Sequence, residues 1–408
     1  MDLNPIILSI PVFFLLIAIE LGYDLIAKKG IYRSGDAFSN IGCGIFEQVT
    51  GIFAKVLTVG LFTIVFENFR IMTIPVNWWT SVILFIGVDF FYYWAHRKSH
   101  EINLFWIGHV IHHQSEDYNL SVALRQGALQ KFFTAPFYLP LALLGFDPYA
   151  FLFASAFNTL YQFWIHTESI GKLGWFEWVF NTPSHHRVHH GRDPKYIDRN
   201  HAGTLIIWDR MFGTFQEEQE RPHYGITKPT NTWNPVKAHI IPIFQLWDEV
   251  KRGRSLMDRL RITFGPPGWL PEYAGGFQKP RPVNEVTFKK YNAKAPSWIR
   301  WYGILQFIIL LMFTSWFLFS FGNLGTAEKV AASLLILISL IGIGNLFEGG
   351  KRIGFWELIR LTTCLVVWPG ISQTTIGLGI GLGGILGSIA LFAILLAQLP
   401  KWSHLEVK

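Results

Sequence analysis

The residues of this chain that can do chemistry are its histidines, and ten of the fourteen fall between His96 and His190. They form three tight boxes and one isolated member. The first box is His96-Arg97-Lys98-Ser99-His100, whose two imidazoles are four residues apart and so share one helix face. The second is His109-Val110-Ile111-His112-His113, with spacings of three and four. The third, His185-His186-Arg187-Val188-His189-His190, repeats that arrangement from His186 onward. Between them stands His166, in Gln162-Phe163-Trp164-Ile165-His166-Thr167-Glu168.

A lone histidine in such a chain is most often a core or membrane-interface residue; three boxes at repeated helical spacing point to metal. Eight imidazoles gathered at neutral pH tolerate one another only when most are neutral, and neutral imidazole is a strong donor to first-row transition metals. Eight nitrogen donors exceed the needs of one tetrahedral or octahedral ion. They suit two ions that keep positions open for oxygen or water. Imidazole serves zinc, copper, nickel and iron alike, and the repeated Glu-x-x-His of carboxylate-bridged di-iron bundles is absent. Glu101, directly after His100, adjoins the first box as a hydrogen-bond acceptor for a ligand imidazole or a contact for a cofactor. His201, in Arg199-Asn200-His201-Ala202-Gly203, reads as a surface residue outside the site.

The elements that must position these boxes belong in lipid. The 408 residues are 50% hydrophobic and only 15% charged, against roughly 25% charged in an average soluble domain. Basic residues give a net charge of +7 but are scattered among apolar runs with no dense stripe, which excludes nucleic acid as a partner. Cys43 and Cys364 form neither a disulfide framework nor a thiolate metal motif. Apolar stretches near residues 6–26, 45–66, 78–94, 129–146, 149–165, 301–321, 331–346, 355–368 and 375–396 approach the ~20 residues of a spanning helix. No basic residues precede the first, which is therefore not a signal peptide.

The expectation is an all-α polytopic membrane bundle of about nine spans. Lys28, Lys29 and Arg33 after the first span place that loop inside. Alternation then puts Arg97 and Lys98, the segment 171–296 and the loop with Lys351 and Arg352 on the same side. The His-rich dimetal site is thus expected to be cytoplasmic. Residues 1–264 read as the catalytic part, 265–297, with Gly265-Pro266-Pro267-Gly268, as a linker, and 298–408 as a C-terminal transmembrane bundle. Glycines between 377 and 387 suggest close helix packing there. The aromatic run Phe90–Trp94, with Trp106, reads mainly as an interfacial belt.

The spacing His-x3-His, His-x2-His-His and His-x2-His-His resembles that of the membrane fatty acid hydroxylase and sterol desaturase superfamily. The strings Gly87-Val88-Asp89-Phe90, His112 to Leu120, Gln162 to Glu168, Asn181 to Arg192 and Trp208 to Phe215 resemble one branch of it, the alkylglycerol monooxygenase family. The resemblance runs from about residue 35 to about 275. It implies two irons held by imidazoles, O2 as oxidant and tetrahydrobiopterin as external reductant. The ligands it implies are His96, His100, His109, His112, His113, His186, His189 and His190. His166 and His185 are further ligand candidates, His166 the better, and Glu101 is expected to serve pterin use or iron geometry.

The implied reaction hydroxylates the carbon next to the ether oxygen of an alkylglycerol lipid, releasing a fatty aldehyde and a glycerol derivative. The implied membrane is the endoplasmic reticulum in a eukaryote and the inner membrane in a bacterium. The competing reading within the superfamily is a sterol, carotenoid or fatty acyl hydroxylase or desaturase fed by a cytochrome or ferredoxin. A metal transporter would instead carry its ionisable ligands near mid-membrane on broken helices, whereas these histidines sit at helix ends and in the long segment.

Overall fold

The computed structural model of the protein describes residues 5–284, 286–350, 352–371 and 375–397. Lys351 and the last eleven residues, which belong to the loop and the C-terminal part named above, lie outside the described residues, as do Met1 to Asn4. The described residues are helical and contain no strand longer than an isolated bridge. In chain order the helices are α1 (Pro5–Ala27), α2 (Ser34–Phe69), α3 (Trp78–Glu101), α4 (Asn103–His113), α5 (Gln130–Thr134), α6 (Leu139–Leu144), α7 (Pro148–Tyr161) and α8 (Pro183–His189). They continue with α9 (Ile207–Met211), α10 (Pro235–Val250), α11 (Leu256–Phe264), α12 (Ser297–Ser320), α13 (Thr326–Glu348), α14 (Ile353–Ile371) and α15 (Thr375–Ala397).

Three of these are long and apolar enough to cross a membrane: residues Leu8–Ala27, Ser297–Asn323 and Thr326–Glu348. One expected span is not a single continuous helix. Residues 129–146 divide into α5, a 3-10 turn at Ala135–Tyr138 and α6. Pro136 and Pro140 explain the break, because proline removes an amide donor and crowds the preceding turn. Within 149–165 the regular helix is α7, which has 14 residues and is about 21 Å long, short of the bilayer core.

The chain divides into two compact units. The first is Met1–Asn231 with Ala238–Tyr291, and the second is Thr232–Lys237 with Asn292–Lys408. In the first, α2, α3, α6 and α7 close on Phe62, Leu84, Val88, Leu141, Ala142, Phe146 and Ala154. Asn77 starts α3 with a reciprocal capping box to Thr80, which satisfies two otherwise orphaned amide donors. The loop after residue 124 passes close to α4 because both contact points are glycines: a Cβ on Gly127 would lie 1.8 Å from the Gly108 carbonyl oxygen.

In the second unit, Ile299, Tyr302, Leu346, Leu361 and Phe392 form the core of α12 to α15. Glu357 and Arg360 are both buried in it and paired. Arg360 also donates to the Gln306 side chain at 2.7 Å, and Tyr302 donates to Glu357. A buried charge in lipid is tolerable when it is paired in this way.

Candidate metal centre

α3 ends in the first box, α4 carries the second and α8 the third, and these helices, with His166 from the stretch after α7, bring their imidazoles into two adjoining groups. His96, His100, His109, His113 and His189 form one; His112, His166, His186 and His190 form the other. Within each group the ligand atoms all lie within 4.8 Å of one another, and every member is buried.

The division follows from helical spacing. In α4 the pair His109 and His113, four apart, serves the first group, while His112 points to the second. At the end of α8 the pair His186 and His190, the latter capping the helix, serves the second group, while His189 points to the first. Residues four apart are offset by about 40° around a helix, and the residue three along falls about 60° to the other side. Each His-x2-His-His box therefore straddles both groups.

Outer contacts aim the rings. His112 Nδ1 lies 2.8 Å from the Arg125 carbonyl oxygen, His166 Nδ1 2.7 Å from that of Gln162, His96 Nδ1 2.7 Å from that of His201 and His189 Nδ1 2.9 Å from that of Arg199. A carbonyl only accepts, so each Nδ1 carries the proton and, in a neutral ring, each Nε2 is a bare lone pair. Burial, reinforced by the neighbouring imidazoles, holds the rings neutral: it pushes His96 and His112 down to about 3 and His166 to about 4. His109, His113, His186, His189 and His190 are likewise held well below the usual imidazole range.

These lone pairs converge. His166 Nε2 is 3.2 Å from His112 Nε2, which also lies 3.1 Å from His190 Nε2. His109 Nε2 faces both His96 at 2.9 Å and His113 at 3.1 Å. The Nε2 atoms of His100 and His189 are buried without a hydrogen-bond partner among the described residues. Two nitrogens each about 2.1 Å from one cation, at right angles, stand about 3 Å apart. The donor set therefore fits a metal ion in each group.

Two sequence-derived candidates stand apart. His185 joins neither group; its ring packs edge-on against Phe215, and its Nδ1 is buried with no hydrogen-bond partner among the described residues. Glu101 turns away from the imidazoles to Arg97 at 2.7 Å and Lys98 at 2.5 Å. Partial burial opposes its charge, but those two cations outweigh it and keep the carboxyl below its ordinary range.

Most of the residues that sequence reasoning missed lie between 198 and 209. Asp198 approaches His100 Nδ1 at 3.4 Å, Arg199 and His201 supply carbonyls to His189 and His96, and His201 itself is buried rather than on the surface. Asp198 and Asn200 both have positive φ, 57° and 54°, the left-handed conformation that Asp and Asn tolerate best. Asp209 pins the stretch by accepting the His201 and Ala202 amides at 2.8 Å. From α3, Asp89 accepts Thr204 N at 2.7 Å, Leu205 N at 3.0 Å, Trp208 Nε1 at 2.9 Å and the Asn158 amide at 2.6 Å. Gly203 fits between Asp89, Asn158 and Tyr92, each 2.9 Å from where a Cβ would stand. A short polar turn with Asn and Gly was the available signal. The aromatic run also differs from a belt: Tyr93 is fully buried and hydrogen-bonded to Thr214 at 2.9 Å, and Phe90 packs on Trp208.

On the other side, Arg125 is among the largest fully buried side chains. It donates to the Ile111 carbonyl, Ser39, Asn40 and Gln114. That anchorage fixes the backbone whose carbonyl orients His112.

Residues 81–214, which span all three boxes, match the fatty acid hydroxylase family model. The chain is 38% identical to the alkylglycerol monooxygenase of Xenopus tropicalis over 353 residues, covering 85% of this chain and 78% of that protein. It is 37% identical to the alkylglycerol monooxygenase of Homo sapiens over 369 residues, 88% of this chain and 81% of that protein. With that of Caenorhabditis elegans the identity is 31% over 376 residues, 85% and 73% of the two chains. No solved structure matches. Similarity of this extent, running through the histidine boxes and well beyond them, makes the chain an oxidoreductase of the monooxygenase class that belongs to the alkylglycerol monooxygenase family.

Proposed function

We propose that the protein is a di-iron monooxygenase that uses O2 and tetrahydrobiopterin to hydroxylate the carbon next to the ether oxygen of an alkylglycerol. The observation that carries this reading is the convergence of neutral imidazoles into two adjoining groups, in a chain whose relatives are named for that substrate. Iron bound in the groups would supply the activation of O2, with two electrons drawn from the pterin. One oxygen atom enters the C–H bond and the other leaves as water. The resulting hemiacetal separates into a fatty aldehyde and a glycerol derivative.

The chain's own residues position and enclose. His96, His100, His109, His113 and His189 would hold one ion, and His112, His166, His186 and His190 the other. The Arg125, Gln162, Arg199 and His201 carbonyls hold the Nδ1 protons and so keep the Nε2 lone pairs inward. A cavity of about 850 Å³ between α3 and α7, lined by Leu84, Phe85, Ala150, Phe153, Phe157 and Tyr161 among others, supports the substrate assignment. Its apolar walls suit an alkyl chain, and Tyr161 lies five residues before His166. We place the metal groups on the cytoplasmic side, in keeping with the basic loops, and retain the bundle as polytopic. Glu101, clamped by Arg97 and Lys98, is assigned to the pterin rather than to a ligand.

The test is aldehyde release by detergent-purified, iron-loaded protein given a 1-O-alkylglycerol, O2 and tetrahydrobiopterin. Pterin-dependent aldehyde is the expected result. Turnover that instead requires a cytochrome or ferredoxin, on a sterol, carotenoid or acyl chain, would replace this reading with the other branch of the superfamily.

A further inference from the structure

α10 and α11 present apolar residues to the outside where a helix in water would be polar. In α10 the inward positions are Ala238, Pro242 and Leu246, yet Ile240, Ile243, Phe244 and Trp247, at i, i+3, i+4 and i+7, are exposed on the opposite side. Phe244 and Trp247 are 61% and 58% exposed. In α11, Ile262 points inward while Leu256, Met257, Leu260 and Phe264 face out. Leu260 and Phe264 also line a cleft of about 570 Å³, together with Arg261, Pro266 and Trp269.

Charge accompanies this surface. Between residues 251 and 261 stand Lys251, Arg252, Arg254, Arg259 and Arg261 against a single acid, Asp258. Asp258 is already engaged in capping α11 through Ser255 and in accepting the Tyr273 hydroxyl at 2.7 Å. Lys251 pairs with Asp248, whereas Arg252, Arg254 and Arg261 have no acidic partner among the described residues. Apolar faces flanked by basic residues match helices that lie in the headgroup boundary of a membrane.

The same pair of helices is fixed to the metal centre. Leu246 and Ile262 share a buried cluster with Ile107 of α4. At the head of α4, Asn103 donates to the Ile262 carbonyl at 3.1 Å and to Glu249 at 3.3 Å. α4 carries His109, His112 and His113.

We propose that the outward faces of α10 and α11 rest in the interfacial layer of a bilayer containing anionic lipids, with the headgroup phosphates and carboxylates drawn to Arg252, Arg254 and Arg261. The docked pair then holds α4, and with it the second histidine box, at a set height against the lipid surface. This inference concerns the membrane itself and does not depend on which lipid is oxidised.

The experiment uses the full-length protein, with Cys43→Ser and Cys364→Ser, reconstituted into vesicles. An environment-sensitive fluorophore is attached through Phe244→Cys, Leu260→Cys or, as a control on an exposed loop, Glu220→Cys. The probes at 244 and 260 should emit to the blue of the probe at 220 and be quenched by nitroxides placed just below the headgroups. Their quenching should be at least about twofold stronger in vesicles containing phosphatidylserine than in phosphatidylcholine alone, and Arg252→Gln, Arg254→Gln and Arg261→Gln together should remove that difference. Probes at 244 and 260 that behave like the one at 220, or quenching indifferent to lipid charge, would overturn the proposal. Disulfide-linked dimers formed through position 244 without lipid quenching would overturn it too, assigning the face to a second copy of the chain.

Discussion

The Nε2 atoms of His112 and His166 face each other across 3.2 Å with no proton between them to share. Both rings spend their Nδ1 proton on a backbone carbonyl, and burial keeps both neutral. Two lone pairs at that distance repel unless a cation sits between or beside them. Stripping metal from the protein with a chelator should therefore lower its melting temperature. A ligand present at about 100 times its dissociation constant contributes about 2.7 kcal/mol, so the loss on chelation should be of that order or larger. Thermal unfolding in detergent with and without chelator measures it; coincident curves would contradict the argument.

His166 and His185 separate a group member from a neighbour. His166→Ala should reduce bound metal markedly and abolish turnover, because it removes one of four imidazoles from its group. His185→Ala should retain wild-type metal content, since His185 joins neither group. Metal analysis of the two purified variants, side by side, checks both. Equal losses would mean that the grouping is misassigned.

Asp89 acts at a distance from the imidazoles. Asp89→Asn places an amide against the Thr204, Leu205, Trp208 and Asn158 donors, with an expected cost of about 3 kcal/mol. The stretch 198–209 should loosen, and His96 and His189 lose the carbonyls that orient them. Limited proteolysis should show new cleavage in that stretch, together with weaker metal retention. A variant that is destabilised but holds metal as tightly as the parent would confine Asp89 to a structural role.

Glu101 gives the opposite pattern. Its carboxylate is committed to Arg97 and Lys98, so Glu101→Gln should leave metal content unchanged while raising the KM for tetrahydrobiopterin and lowering turnover. Loss of metal in this variant would return Glu101 to the ligand sphere.

The ligands themselves were legible because helical spacing is written in side chains. His-x3-His and His-x2-His-His each specify which rings share a face, and nine imidazoles that these patterns and His166 singled out do converge. The outer contacts were not legible for the converse reason. Arg125, Arg199 and His201 act on the rings through backbone carbonyls, which every residue type carries, so nothing in residue identity marks them. His201 was read as a surface residue because a loop histidine between Asn200 and Ala202 has no periodicity to reveal burial. The stretch 129–146 was apolar enough for a span, but Pro136 and Pro140 decided its local structure. Glu101 adjoined the first box in sequence, yet two cations within four residues directed its side chain elsewhere.

Each of the two histidine groups is proposed to hold one iron. The most direct measurement is metal stoichiometry on full-length protein purified in mild detergent and loaded anaerobically with ferrous iron. About two irons per chain are expected, one per imidazole group, falling to about one when a single group is crippled by His186→Ala with His190→Ala. A protein that releases aldehyde with pterin while binding one iron or none would contradict it.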